Sequence, residues 1–304
     1  MSVNLTVNLG GLPMKNPITT GSGTFASGKE YSDFVDVSKL GAVTTKGVSV
    51  VPWEGNPGVR IAETPSGMIN SIGLQNPGVE VYLKKDIPWL QEAGATVISN
   101  VSGHSVAEYV ACMEALEASD GIHAYELNIS CPNVDCGGLA MGTDPAMVER
   151  VVSECRAITK KPFFVKLTPN VTDIAVIAKA AEAAGADAIS LINTPLGMVV
   201  DPYKRKPLLP RVVGGMSGPA IKPIALRMVW QCHNAVSIPI LGMGGISTGL
   251  DAVEFMLAGA TAVAVGAANF VNPRATMDVL DGLVSYCEET GVKDVNELIG
   301  ALEC

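Results

Sequence analysis

Lysine and asparagine side chains interrupt five short apolar runs of this 304-residue sequence. They are Lys46, Asn100, Asn128, Lys166 and Asn193, and each lies at or near the C-terminal end of its run. In a barrel of parallel strands, the carboxyl ends of the strands lie on one rim, and enzymes built on such barrels have their active sites there. Five polar side chains in equivalent places therefore predict a functional mouth on that rim.

Neutral hydrogen-bonding side chains dominate this predicted mouth. Asn70 lies in the segment 68–78, Asn128 and Asn133 bracket one strand end, and Asn193-Thr194 ends another run. Amide groups both donate and accept hydrogen bonds, so the set suits a flat ring with alternating N–H and C=O groups, such as a pyrimidine. Lys46 and Lys166 add positive charge to an acidic protein and indicate an anionic ligand.

Cys131 occupies the run Asn128-Ile-Ser-Cys-Pro-Asn133, directly after a strand. A cysteine is most often a small buried hydrophobic residue, but this one lies on a loop at the predicted mouth, between amides and before a proline. A thiol with an ordinary pKa of about 8.5 is only slightly ionised at pH 7. It can still remove a proton when neighbours or the substrate stabilise the thiolate, so we interpret Cys131 as a candidate base.

Two glycine-bearing turns, 242–247 and 266–268, follow the last two apolar runs. Glycine lets backbone N–H groups approach a phosphate closely, and (β/α)8 barrels commonly bind phosphate after strands 7 and 8. Ser217-Gly218 in the preceding long segment is a further candidate contact. These turns predict a phosphate-bearing ligand.

Strands and helices must alternate to position these residues. The eight apolar runs, typical of parallel strands buried on both faces, are 18–22, 42–48, 96–101, 125–130, 163–168, 188–194, 239–244 and 262–267. Segments with helical spacing lie between them, including 105–119, 144–160, 172–184, 219–235 and 249–258. An average of about 38 residues per unit predicts a (β/α)8 TIM barrel.

The intervals between runs predict the rest of the architecture. Residues 49–95 after strand 2 and 195–238 after strand 6 are long enough to form excursions or lids, and residues 1–17 suggest a hairpin that closes the bottom of the barrel. No linker divides the chain, so residues 1–304 are assigned to one domain.

Composition excludes several classes of protein. A net charge of −9 makes a phosphate-backbone binder improbable, so we expect no nucleic-acid partner. No apolar run reaches the length of a membrane span and no secretory signal is evident, which favours a cytoplasmic protein without membrane contact. The seven cysteines contain no CxxC pair and, with the three histidines, no metal-ligand spacing, so no metal site is expected in this chain.

Several of these motifs together resemble class 1 dihydroorotate dehydrogenases. They are Thr45-Lys46-Gly47, Asn70-Ser-Ile-Gly-Leu74, Asn128-Ile-Ser-Cys-Pro-Asn133, Lys166, Asn193-Thr194 and Gly244-Gly245. They occur in order over nearly the whole chain. The run Gly-Leu-Gln-Asn-Pro-Gly at 73–78 is more similar to the B type, which uses NAD through a partner subunit, than to the fumarate-using A type.

The resemblance implies one FMN per chain and a pyrimidine substrate. FMN would be bound by Ser22, Lys46, Gly47, Asn100, Asn128, Lys166, Ile192, Ser217, Gly218, Gly244, Gly245, Gly266 and Ala267. Dihydroorotate would be bound by Lys46, Asn70, Ser71, Ile72, Gly73, Leu74, Asn128, Asn133, Asn193 and Thr194. The family often has Thr or Ser where this chain has Ala267, so one hydroxyl contact to the phosphate is expected to be missing.

The resemblance also implies a reaction in pyrimidine biosynthesis. Cys131 would remove a proton from C5 of dihydroorotate while hydride leaves C6 for N5 of the flavin, giving orotate. Lys166 would stabilise negative charge on the reduced flavin. A separate subunit with FAD and a 2Fe-2S cluster would pass the electrons to NAD, and we expect a homodimer of this chain within a heterotetramer.

Other functions remain open on the sequence. A fumarate-dependent A-type enzyme shares these motifs, and a dihydropyrimidine dehydrogenase-type barrel would use a substrate without a carboxylate to pair with Lys46. A Schiff-base aldolase built on Lys166 would contain no flavin. A barrel that only binds ligand would be indifferent to Cys131→Ala, and a tRNA-acting dihydrouridine synthase is disfavoured by the charge of −9.

Overall fold

The computed structural model describes residues 3–130 and 141–303. The strands are β1 (Val7–Leu9), β2 (Leu12–Met14), β3 (Ile18–Thr20), β4 (Val43–Thr44), β5 (Ile61–Thr64), β6 (Gly67–Asn70), β7 (Val97–Val101), β8 (Ala124–Asn128), β9 (Phe163–Lys166), β10 (Ala188–Leu191), β11 (Leu196–Met198), β12 (Val200–Asp201), β13 (Lys206–Pro207), β14 (Val213–Ser217), β15 (Ile240–Met243) and β16 (Ala262–Val265).

The helices that accompany these strands are α1 (Ser22–Phe25), α2 (Val79–Val81), α3 (Ile87–Glu92), α4 (Val106–Glu117), α5 (Pro145–Arg156), α6 (Ile174–Ala183), α7 (Lys222–His233), α8 (Gly249–Leu257), α9 (Ala268–Val271) and α10 (Ala275–Thr290). A π-helical segment, Tyr82–Asp86, joins α2 to α3. Short 3-10 helices span Lys29–Tyr31, Val37–Lys39, Met141–Thr143, Pro219–Ile221 and Val295–Leu298. Within the two described ranges, no helix is both long and apolar enough to cross a bilayer.

Eight parallel strands form the central sheet in the order β3-β16-β15-β10-β9-β8-β7-β4. The first and last strands of this sheet, β3 and β4, are joined by two hydrogen bonds. Thr20 Oγ1 donates to Thr44 O at 3.1 Å and accepts from Thr44 N at 3.0 Å. The sheet thus curves into a barrel, and the predicted (β/α)8 TIM-barrel fold is confirmed.

Burial on both faces explains why the predicted runs form strands. Every residue of β7, β8, β9, β10, β15 and β16 is buried. Helices cover the outer face, and their first turns begin at side-chain caps: Ser105 caps α4, Asp144 caps α5 and Asp173 caps α6. These caps satisfy N–H groups that a helix start leaves without partners.

The two long excursions join each other above the barrel. Strands β5 and β6 lie in the first excursion, and β11 and β14 lie in the second. The four strands form one antiparallel sheet in the order β11-β14-β6-β5. The register places Asn70 opposite Gly215. The predicted excursions are confirmed, but the sequence did not predict that they build one sheet.

A hairpin of β1 and β2 lies at the opposite end of the barrel, as predicted. Its turn residue Gly10 has a φ of +55°, and a Cβ there would lie 2.4 Å from the carbonyl oxygen of Asp187, which precedes β10. Only glycine allows this approach. The hairpin therefore packs against the N-terminal ends of the barrel strands.

Candidate active site

A cavity of about 540 Å³ opens at the C-terminal ends of the barrel strands, beneath the excursion sheet. This volume lies in the range of small-molecule and cofactor sites. Predicted site residues in its lining are Ser22, Lys46, Asn70, Ser71, Ile72, Gly73, Leu74, Asn128, Lys166, Ile192, Asn193, Thr194, Ser217, Gly218, Gly244, Gly245, Gly266 and Ala267. The fold thus brings together residues up to about 245 positions apart in the chain.

A buried lysine at the floor of the cavity is paired with a carboxylate behind it. Lys166 ends β9, and its Nζ lies 3.5 Å from Glu126 Oε1 on the neighbouring β8 and donates to Ser22 Oγ at 3.3 Å. Glu126 also accepts from Asn100 Nδ2 at 2.5 Å and from Ser190 Oγ at 2.6 Å. A charged group without solvent needs such partners, and here both oxygens of the carboxylate have them.

Lys46 brings a second positive charge to the cavity, directly after β4. Burial lowers the pKa of its ammonium below the ordinary value, and the positive charges of Lys166 and Arg60 lower it further. An anionic ligand beside Lys46 would remove part of this penalty, because an opposite charge favours the protonated form. The electrostatics of the cavity therefore favour an anion.

Amides and a hydroxyl are linked in a chain along one wall. Asn193 Nδ2 donates to Ser130 Oγ at 2.5 Å, and Ser130 Oγ donates to Asn128 Oδ1 at 2.6 Å. The backbone N–H of Thr194 donates to Asn193 Oδ1 at 2.8 Å. These bonds fix the amide orientations, so Asn128 directs its Nδ2 group away from Ser130 as a donor.

The excursion sheet supplies the opposite wall. Asn70 at the end of β6 donates from Nδ2 to Gly215 O at 3.2 Å, which ties the first excursion to the second. A Cβ on Gly215 would collide with Thr194 Oγ1. Glycine at this position thus allows Asn70 and Thr194 to share one edge of the cavity.

The glycine turns lie together at the far end. Gly245 has a φ of +77°, and a Cβ there would lie 2.8 Å from Lys222. A Cβ on Gly266 would meet no protein atom within 4 Å and would project into open space. Backbone N–H groups in glycine-bearing turns before helices can bind a phosphate, and the space beside Gly266 leaves room for one.

The family model for dihydroorotate dehydrogenase matches residues 4–286. The chain belongs to the dihydroorotate dehydrogenase family.

Relatives in this family align over nearly their whole length. The protein from Alkaliphilus oremlandii (strain OhILAs) is 59% identical over 98% of this chain and 99% of the relative. That from Alkaliphilus metalliredigens (strain QYMF) is 57% identical over 99% of both, and that from Pelobacter propionicus (strain DSM 2379 / NBRC 103807 / OttBd1) is 51% identical over 100% of both. All three are named dihydroorotate dehydrogenase B (NAD(+)), catalytic subunit.

A solved structure of the family shows the same fold. The crystal structure of the enzyme from Eimeria tenella in complex with ferulenol superposes with a TM-score of 0.81, covering 98% of this chain and 88% of that chain, at 21% sequence identity. At this identity the likeness supports the barrel and nothing finer.

Four predicted site residues of this dihydroorotate dehydrogenase family member are not in the described cavity lining. Gly47 and Asn100 lie behind it: Asn100 is completely buried, and a Cβ on Gly47 would lie 2.6 Å from Asn100 Oδ1. Their contact with a cofactor stays a prediction. Cys131 and Asn133 lie outside the described residues.

Sequence reasoning missed several residues of the site. Glu126 is not among the predicted site residues, although a charged residue inside an otherwise apolar run is a usable signal, and neither is Ser130, which lies in the run Asn128–Asn133. Arg211 and Asn56, both in the cavity lining, are joined by a bond from Arg211 Nε to Asn56 Oδ1 at 3.1 Å. Nothing in their local sequence indicated this contact, because they lie in different excursions.

Proposed function

We propose that this chain catalyses the oxidation of dihydroorotate to orotate in pyrimidine biosynthesis, as the catalytic subunit of an NAD-linked enzyme. The observation that carries the proposal is the convergence of two lysines and a set of amides in one cavity at the C-terminal rim of a dihydroorotate dehydrogenase-family barrel. The names of relatives at 50–59% identity support the same activity and the B type.

The cavity chemistry matches an anionic pyrimidine. Dihydroorotate carries a carboxylate, which Lys46 would pair with, and a ring with alternating N–H and C=O groups, which amide side chains can bind. Asn70, Asn128 and Asn193 line the same cavity as Lys46. Their amides are held by hydrogen bonds, so little orientational freedom remains to be lost when the ring binds.

The far end of the cavity fits FMN. Gly244 and Gly245 follow β15 and Gly266 follows β16, so backbone groups at the turns would hold the phosphate. Lys166 and Ser22 would lie beside the flavin ring at the floor. FMN, when bound, supplies the acceptor for the hydride that leaves C6 of dihydroorotate.

The chain itself supplies a proton acceptor and positive charge. Cys131 follows Ser130, which lines the cavity, and we assign its thiolate the proton from C5 of the substrate. Loss of a proton from C5 and a hydride from C6 leaves the C5=C6 double bond of orotate. Lys166 provides fixed positive charge at the floor, where charge develops on the acceptor.

Anaerobic mixing of the FMN-loaded chain with two pyrimidines tests the proposal. Dihydroorotate is expected to bleach the flavin absorption, whereas dihydrouracil, which has no carboxylate for Lys46, should leave it nearly unchanged. Equal bleaching by both would favour the dihydropyrimidine dehydrogenase type. No bleaching by either would reject a dehydrogenase acting on these rings.

The proposal extends to the assembly. A separate subunit carrying FAD and a 2Fe-2S cluster would take the electrons to NAD, this chain would form a homodimer within a heterotetramer, and residues 1–304 would form one cytoplasmic domain. Purification with the partner should give a coloured complex that reduces NAD with dihydroorotate. Turnover with fumarate by the chain alone would instead indicate the A type.

A further inference from the structure

Glu126 is the buried partner of the cavity-lining Lys166 and has no role in the function proposed above. Both of its carboxylate oxygens are engaged, Oε1 by Asn100 Nδ2 and by the ammonium of Lys166, and Oε2 by the Ser190 hydroxyl. The side chain has no solvent exposure, and that of Lys166 is 7% exposed. A carboxylate is rarely buried this deeply unless it is paired.

The three donors come from three other barrel strands. Asn100 is on β7, Lys166 on β9 and Ser190 on β10, so Glu126 on β8 ties four consecutive strands together at one level of the barrel. Asn100 and Glu126 are directly opposite in the strand register. This arrangement fixes the carboxylate, and a fixed carboxylate in turn fixes the ammonium beside it.

We propose that Glu126 is a positioning residue that holds Lys166 at the cavity floor and offsets its charge, so that the flavin end of the cavity is close to neutral rather than cationic. The inference rests on the proposed function, because it assumes that FMN binds beside Lys166. The other cationic side chains of the lining are Lys46 and Arg211, and Arg211 donates to Asn56 Oδ1. The cavity would then present Lys46, which has no ion-pair partner among the described residues, to the anionic substrate and a compensated lysine to the cofactor.

Charge compensation predicts that two substitutions shift the FMN midpoint potential in opposite directions. Removing the negative charge with Glu126→Gln should make the floor more positive, stabilise the anionic reduced flavin and shift the FMN midpoint potential to more positive values at pH 7. Lys166→Met should shift it to more negative values. Loosened packing alone would not produce opposite shifts in two neighbours.

The chain offers a matched control at the other end of the same strands. Glu117 accepts from the hydroxyls of Tyr125 and Thr159 at 2.7 and 3.0 Å, with Lys161 Nζ at 3.9 Å. It therefore has hydroxyl and lysine partners, as Glu126 does, but its lysine, Lys161, does not line the cavity. Glu117→Gln should leave the midpoint potential at the wild-type value.

The experiment is a spectroelectrochemical titration of FMN in these variants, with Glu126→Asp as the charge-conserving variant. Glu126→Asp should stay nearer to wild type than Glu126→Gln, and it also serves if Glu126→Gln does not fold. An unchanged or more negative potential in Glu126→Gln, or equal shifts in the Gln and Asp variants, would overturn the inference. Failure of wild type to be reduced by dihydroorotate would reject the proposed function instead, and the two failures are therefore distinguishable.

Discussion

Two glutamate–lysine pairs at opposite ends of the barrel differ in their exposure to solvent. At the mouth, Glu126 and Lys166 are 3.5 Å apart, with side chains 0% and 7% exposed. At the bottom, Glu117 and Lys161 are 3.9 Å apart, with side chains 30% and 26% exposed. Lys166 of the first pair lines the cavity, whereas the second pair joins α4 to the segment before β9.

The two ends of the barrel also differ in whether their polar groups have partners within the protein. At the bottom, Asp187 accepts from Arg156 Nη1 at 2.6 Å and from the backbone N–H of Phe163 at 3.0 Å, so charge is satisfied within the protein. At the mouth, the pKa of Lys46 is lowered by burial and like charge, and the buried Oγ of Ser71, a residue of the cavity lining, has no partner among the described residues. The comparison indicates that the bottom contributes stability and that the mouth retains unsatisfied groups for ligands.

The largest expected effect is on the chemistry at the mouth. Cys131→Ala should slow flavin reduction by dihydroorotate by about 10²- to 10⁴-fold, because the proposed general base is removed. FMN binding should be retained, and Cys131→Ser should give an intermediate rate because a hydroxyl is a poorer base at neutral pH. Anaerobic stopped-flow absorbance measures all three proteins. An Ala variant as fast as wild type would remove Cys131 from the mechanism.

Loss of the substrate-facing charge should have the next largest effect. Lys46→Met should weaken orotate binding by about 1.5–3 kcal/mol, roughly a 10- to 150-fold rise in Kd, since a charge-assisted hydrogen bond is lost. Lys161→Met at the bottom is the matched control and should bind orotate normally. Titration of the flavin spectrum with orotate gives both dissociation constants. Equal affinities in the two variants would contradict the assignment of ligand binding to the mouth and not to the bottom of the barrel.

A substitution at the bottom should affect stability and leave catalysis intact. Asp187→Ala removes the acceptor for Arg156 and for the N–H of Phe163, and should lower the free energy of unfolding by about 1–3 kcal/mol. Asp33→Ala, at an exposed site, is the control and should change it by less than about 0.5 kcal/mol. Denaturant unfolding measures the change, and flavin reduction by the folded variant should match wild type.

The smallest expected effect is on the pH dependence of orotate binding at the mouth. Only protonated Lys46 can pair with a carboxylate, and its pKa in the free protein lies below the ordinary 10.5. Orotate affinity should therefore begin to fall at a lower pH than an unperturbed lysine would give, as Lys46 loses its proton. Lys46→Arg keeps its charge over this range and should bind orotate with little pH dependence. A wild-type profile as flat as that of Lys46→Arg would exclude Lys46 as the titrating group.

Much of the barrel could be predicted from the sequence, because strands buried on both faces are recognisable as apolar runs. Seven of the eight runs contain a barrel strand, the run 125–130 overlaps β8 from its second residue, and 249–258 encloses α8 at Gly249–Leu257. The excursion sheet could not be predicted, since β6 and β14 are short and their pairing joins segments more than 140 residues apart. Contacts between distant loops leave no local periodicity.

The site was predictable where polar residues end strands and less so where they lie inside them. Lys46, Asn128 and Lys166 were selected as exceptions in apolar runs, and all three line the cavity. Glu126 is also an exception, but it lies two residues before the strand end, and its partners come from three other strands. Its importance becomes visible only when the barrel closes around it.

Single-turnover oxidation is the most direct test of the central claim that the mouth of this barrel is a flavin-linked dihydroorotate site. The FMN-loaded chain is mixed anaerobically with excess dihydroorotate, and flavin absorbance and orotate are followed together. We expect one orotate to form for each flavin reduced. A flavin that stays oxidised while dihydroorotate is bound, or reduction without orotate, would contradict the account.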